Sequence, residues 1–157
     1  MKLKYLLFVC LLIVTVISSC KRDSGISFEE QLASDEIRIK EFIVKNNIPA
    51  IRHESGLYYQ IIEPGTGTFV YSGNTVITAK YALRLINGNT VPQPADPIQF
   101  SLGGVILGWQ LGIPLIQKGG KIRLIVPSGY AYGSEAKSGI PTNSILDFDI
   151  ELVDARN

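Results

Sequence analysis

The chain has 157 residues, 46% of them hydrophobic and 18% charged, which excludes disorder along its whole length and suits one ordinary domain with a short extra segment. Fifteen basic residues against 14 acidic ones leave no positive footprint for nucleic acid. One histidine and two cysteines, Cys10 and Cys20, supply too few soft ligands for a transition-metal enzyme. No metal and no cofactor are expected.

Met1-Lys-Leu-Lys4 is a short positive head, Tyr5 to Ile17 is almost wholly apolar, and Ser18-Ser19-Cys20 closes the run with small residues. This is the layout of a secretory signal, and the apolar stretch falls short of the roughly 20 residues a comfortable bilayer span needs. Taken alone, the residues also fit a secreted chain in which Cys20 is incidental, or an uncleaved anchor. The ending Ile17-Ser18-Ser19-Cys20 resembles the bacterial lipoprotein box. That resemblance implies a signal peptide over 1–19, cleavage before Cys20 and lipid on its thiol, so that residues 20–27 become a membrane tether. It also implies a place in a bacterial cell envelope, with Lys21 after the cysteine favouring the outer membrane over the inner. Loss of the leader would remove Lys2 and Lys4, leaving 13 basic residues against 14 acidic and no cysteine for a disulfide.

Ser27 followed by Glu30 is a capping-box signature, and Phe28, Leu32, Ile39, Phe42 and Ile43 recur at helical spacing. A helix is expected over 28–46, within an N-terminal segment 28–47, although Asp35 and Glu36 interrupt its stripe. Such a helix packs on the body, pairs with a second copy or other partner, or stands as a solvated spacer; the pattern leaves all three open.

Residues 48–157 form the body, where alternation replaces the helical period. Leu57, Tyr59 and Ile61 share one face of a strand ended by Pro64-Gly65. Ile77, Ala79, Tyr81, Leu83 and Leu85 point one way and Thr78, Lys80 and Arg84 the other, as in a sheet wet on one side. Asn87-Gly88 marks a turn. Ile98, Phe100 and Leu102 alternate again. Val105 to Leu111 reads as one short helix, since Gly103, Gly104, Gly108 and Gly112 are costly in a long one. Ile122, Leu124 and Val126 make another inward row. Leu146, Phe148, Ile150 and Leu152 make the last, with Asp147, Asp149 and Glu151 facing out. The sum is an α+β domain: an antiparallel, strongly bent sheet over one short helix.

Conventional catalytic sets are scarce. His53 reads as a linker histidine, and Asp147, Asp149 and Glu151 as the wet side of a strand rather than a calcium site. Gly65-Thr-Gly67 and Gly103-Gly104 lack the Lys-Ser/Thr element of a phosphate loop. The distinctive content is aromatic: Tyr81, Phe100, Trp109, Tyr132 and Phe148 fall on inward faces or in Gly-punctuated segments. They form either core or the lining of an apolar pocket with a hydroxyl at its edge.

The order of segments is more specific. Phe100-Ser-Leu-Gly103, Val105-Ile-Leu-Gly-Trp109 and Gly112, then Arg123-Leu-Ile-Val-Pro127, Tyr130-Ala-Tyr-Gly133, Gly139-Ile-Pro141 and the run Asn143 to Leu152 resemble the FKBP-type peptidyl-prolyl isomerases. The likeness covers residues 56 to 154 without a break. It implies a five- or six-stranded antiparallel half-barrel round a short helix, with an apolar pocket for a proline ring. Trp109 would be the floor, Tyr81, Phe100 and Phe148 the walls, Val105 and Ile106 the side, and Ile140 the rim. Ile98 stands where many members have phenylalanine. The Ile106 N–H and the Tyr132 hydroxyl would bind carbonyls of a peptide or of a macrolide, and Tyr81 would face the twisting amide. Clients would be prolyl segments of exported or envelope proteins; the lipoprotein form is also similar to proteins of gliding motility machinery, and a binding or chaperone role with little turnover is the alternative. The main departure follows Asn87-Gly88-Asn-Thr90. Where the family commonly has Phe-Asp, this chain has Val91-Pro92, losing a ring and a carboxylate, which bears on turnover and macrolide affinity rather than on the fold.

Overall fold

A computed structural model describes residues 26–157. The expected leader, Cys20 and the tether up to residue 25 lie outside the described residues.

Helix α1 (Phe28–Lys45) starts as its capping box dictates: Ser27 Oγ accepts from the Glu30 N–H, and Glu30 Oε2 accepts from the Ser27 N–H. It ends where Asn46 turns its side-chain amide back to the Phe42 carbonyl and Asn47 takes φ 50°, a left-handed conformation that asparagine tolerates better than most residues. Of the three uses open to this helix, the structure has it packed on the body. Ile39 is fully buried in a cluster with Ile48, Tyr58, Ile125 and Ile145 on the outer face of the sheet.

Asp35 and Glu36 serve that docking, although their charge breaks the apolar stripe. Asp35 is fully buried. Glu36 meets Lys40 at 2.8 Å and Arg52 at 3.0 Å, and accepts from the Tyr58 hydroxyl. Hydrogen bonds from Arg52, then Lys40, hold its carboxyl at about 2. A carboxyl whose folded pKa is depressed adds stability above its unfolded value and loses it as pH falls through the folded one. Glu36→Gln should therefore cost no more than about 1 kcal/mol at neutral pH, because water screens this surface trio. The difference from the parent should shrink between pH 4.5 and about 2, as thermal melts of both forms across that range will show.

The sheet has seven antiparallel strands: β1 (Ile51–Arg52), β2 (Tyr58–Glu63), β3 (Val76–Leu85), β4 (Thr90–Val91), β5 (Ile98–Ser101), β6 (Lys121–Val126) and β7 (Leu146–Arg156). Their order is β1-β2-β6-β7-β3-β4, with β5 also on β3. The count exceeds the expected five or six because β1 and β4 are only two residues long, too short for any alternation to betray them. β3 and β7 form the spine, paired from Val76↔Arg156 to Leu85↔Leu146 with a register shift at Thr78/Ala79. Such irregularities bend a strand and deepen its twist, and the curled sheet encloses its own core.

Two facings differ from the alternation read in the sequence. Leu57 is buried but precedes β2, while Tyr58 is buried against α1 and Ile61 is 41% exposed. Burial there follows the docked helix, so both faces of the segment are used. Asp147, expected to face water, is 1% exposed: Arg123 grips its carboxylate through two bonds of 2.8 Å and Arg84 adds a third at 3.2 Å.

Inside the curl lies α2 (Leu107–Gly112), flanked by 3₁₀ turns at Leu102–Gly104 and Ile113–Leu115. It is shorter than the expected Val105 to Leu111, because Val105 and Ile106 are extended. Its glycines give it close approach to β6. A Cβ on Gly112 would lie 2.5 Å from Leu124 Cδ1, and one on Gly108 would strike Val126. Gly112→Ala should thus lower stability by about 1–3 kcal/mol through overpacking, despite alanine's better helix propensity; denaturant unfolding is the check.

Candidate functional site: an aromatic cavity over Trp109

Trp109 is 4% exposed on α2, and three rings from three strands close around it. Tyr81 of β3 stands edge-on at 5.0 Å and 86°, Phe100 of β5 at 5.6 Å and 74°, and Phe148 of β7 at 5.6 Å and 79°. Strand pairing sets this arrangement: β3 is hydrogen-bonded to both β5 and β7, so inward residues of the three must share one space. Edge-to-face packing is the favourable geometry for such rings, and it fixes the walls rigidly. Above them opens a cavity of about 690 Å³, whose lining includes Tyr81, Phe100, Trp109 and Phe148 together with Val91, Val105, Ile106, Tyr132 and Ile140.

The polar groups sit at its edge. Ile106 is the N-cap of α2; its carbonyl receives the Trp109 and Gln110 N–H groups, and no backbone carbonyl among the described residues accepts from its own N–H. Burial, and next the neighbouring Tyr132 phenol, push the Tyr81 hydroxyl pKa up, so Tyr81 is a neutral donor at physiological pH. Lys137 lies 5.7 Å from the centre of the Tyr132 ring and 2.8 Å from Glu135. The turn from Lys137 to Ile140 is closed by reciprocal backbone bonds of 2.9 Å. It needs Gly139 at φ 75°, and it delivers Ile140, only 5% exposed, to the rim.

Of the residues that the family resemblance assigns to the pocket, Ile98 alone falls outside the lining. It sits on β5 opposite Ala79, two residues before Phe100, and Phe100 takes the place at the wall. Val91 and Pro92 do line the cavity, where they bring no carboxylate; Asp96 is exposed and away from it. The lining contains no acidic residue at all.

Sequence reasoning missed Leu83, Gln93 and the Lys137–Gly139 turn as wall. Leu83 was visible in principle, being one inward step along β3 from Tyr81. It also missed Gln110, whose side-chain amide donates to the Val105 carbonyl at 2.8 Å and holds the extended segment that presents Ile106. No spacing rule announces a bond of that kind. His53, a linker residue by its sequence, pairs with Ser55 Oγ at 2.9 Å beside Tyr59 and is not part of the cavity lining.

Comparisons with known proteins place this geometry. A family model described as FKBP-type peptidyl-prolyl cis-trans isomerase matches residues 68–153. The FKBP-type isomerase FkpA of Buchnera aphidicola (subsp. Schizaphis graminum) is 40% identical over 144 residues, covering 87% of this chain and 56% of the relative. FkpA of Escherichia coli K12 is 36% identical over 141 residues, covering 87% and 52%. The chain thus spans just over half the length of these curated relatives. Among solved structures, Escherichia coli FkpA superposes with a TM-score of 0.69 at 36% identity over 82% of this chain and 62% of that one. A peptidyl-prolyl isomerase of Pseudomonas syringae pv. tomato gives 0.67 at 28% identity over 85% and 99%. Family match, sequence likeness and superposed fold agree, and the chain belongs to the FKBP-type peptidyl-prolyl cis-trans isomerase family.

Proposed function

We propose that the chain catalyses cis-trans rotation about X-Pro bonds in exported or envelope proteins. The observation that carries this reading is the rigid ring cluster over Trp109, opening on a cavity edged by Tyr132, Tyr81 and the Ile106 main chain. A peptide bond is planar through resonance, with a barrier of about 20 kcal/mol and unaided X-Pro exchange over tens to hundreds of seconds. Twisting removes the resonance and lowers the polarity of the carbonyl. Water favours the planar form, so a dry aromatic cavity that grips the proline ring favours the twisted one. That is differential binding of the transition state and requires neither nucleophile nor base. A 10⁴-fold acceleration needs about 5–6 kcal/mol of such preference. Oriented bonds from the Ile106 N–H and the Tyr132 hydroxyl to flanking carbonyls would supply part of it.

The test is a protease-free isomerisation assay of the full chain in mild detergent, on peptides that vary the residue before proline. Acceleration in proportion to protein concentration is expected. Tyr132→Phe should lower kcat/KM about tenfold, the value of one well-oriented hydrogen bond. A folded protein inactive on every peptide would leave the second reading, a prolyl-binding chaperone module, which the lack of a carboxylate in the lining favours. Either way a macrolide should compete with peptide for the cavity. We further propose that lipid on Cys20 holds the domain at the outer membrane of a bacterial envelope, since two or three acyl chains anchor where one would hold marginally. Replacing Cys20 by serine should release the protein from membranes and abolish incorporation of labelled palmitate.

A further inference from the structure

We propose that Asp35, on helix α1, is a positioning residue that sets the place of Tyr132 and so the rate of prolyl turnover; this rests on the isomerase reading above. Asp35 is fully buried and plays no part in the cavity. Its Oδ2 accepts from the Ser128 N–H at 2.7 Å and from the Ser128 hydroxyl at 2.6 Å. Its Oδ1 is held by the Gln31 amide at 2.9 Å, with Arg38 at 3.5 Å. A buried carboxylate is costly unless its bonds are made, and the partners of this one outside α1 are both groups of a single residue, Ser128.

Ser128 is the residue from which Tyr132 hangs. Its carbonyl accepts from the Ala131 N–H at 3.0 Å and the Gly133 N–H at 2.8 Å, the two neighbours of Tyr132. The backbone on either side of Tyr132 is therefore tied to one oxygen, and the residue bearing that oxygen is tied to α1. The intervening turn is clamped from the same side. The Phe28 ring lies so close to Gly129 that a Cβ there would come within 2.6 Å of it, and Phe28 packs 6.2 Å from the Tyr130 ring. The Tyr130 hydroxyl donates to the Ser55 carbonyl at 2.6 Å. Fixing a donor before substrate arrives lowers the cost of each productive encounter. The N-terminal helix thus reaches the cavity edge through two residues, Asp35 and Ser128.

A double-mutant cycle tests this, with Asp35→Ala and Tyr132→Phe singly and together in the full chain. If Asp35 acts through Tyr132, Asp35→Ala should lower kcat/KM about tenfold in the parent, yet less than about twofold in the Tyr132→Phe background. Equal losses in both backgrounds would overturn the proposal. Ile39→Ala loosens the same helix without touching Ser128; it should lower Tm while leaving kcat/KM within about twofold at temperatures where the protein is folded. A loss of activity as large as that of Asp35→Ala would reduce Asp35 to general packing and also overturn the proposal. Should Asp35→Ala not fold, Asp35→Asn and Ser128→Ala take its place in the cycle. A parent with no turnover would defeat the isomerase reading and would also overturn the rate claim. The same cycle read in the Kd of a proline-containing tetrapeptide, from the fluorescence of the single tryptophan, then decides the placement of Tyr132 by the same criterion of non-additivity.

Discussion

Trp109→Ala is expected to destabilise the fold by about 3–5 kcal/mol, the cost of deleting a large buried aromatic, and to abolish binding of prolyl peptides. Both losses have one origin. The indole is the surface on which Tyr81, Phe100 and Phe148 stand edge-on, so its removal takes three ring contacts from the core and the floor from the cavity. Trp109→Phe separates the two effects. It keeps a ring for the walls to meet, and should retain most of the stability while weakening peptide binding measurably. Denaturant unfolding with isothermal calorimetry on the same samples checks both. Trp109→Ala with full affinity would mean that the proline ring does not rest on this residue.

Asp147→Ala is expected to cost about 3 kcal/mol, at the low end for breaking a buried ion pair because both arginines keep some access to water. Asp147 is almost completely buried, with Arg123 and Arg84 both on its carboxylate, while Arg84 also reaches Asp149 at 2.6 Å. Alanine would leave Arg123 without this partner against the covered face of β6 and β7. Replacing the trio together, Arg84→Met with Asp147→Leu and Arg123→Met, should by contrast be close to neutral, since no buried charge is left unpaired and Asp149, 44% exposed, can turn to water when Arg84 is gone. Chemical denaturation of the single and triple variants measures the difference. Equal destabilisation by both would show that the trio is worth more than the apolar packing that could replace it.

These two residues also mark how far the sequence could be read. The inward rows of β3, β6 and β7 were legible because a buried face must recur every second residue, and Ile77, Leu83, Leu124, Phe148 and Leu152 obey that rule. Trp109 was legible as a member of an aromatic set, and the order of motifs around it marked the cavity. Asp147 obeyed the period in facing away from the core. Its burial depends on Arg84 and Arg123, distant in the chain and brought to it only by strand pairing.

Asp35 was obscure for the same reason. A charge in a helical stripe reads as an interruption until Ser128, 93 residues later, arrives to use it. Gly108 and Gly112 argued against a long helix, but their purpose appeared only with β6 pressed against them.

Local periodicity, capping and turn chemistry act between residues near in the chain, so the sequence by itself determined the longer elements, the start of α1, the inward faces of β3, β6 and β7 and the membership of the aromatic set. Pairings between distant residues carry no local signature. The docking of α1, the burial of Asp35 and Asp147, the edge-on stance of the rings and the exclusion of Ile98 from the cavity were therefore decided by the tertiary structure, which alone brings residues from separate strands and helices into contact.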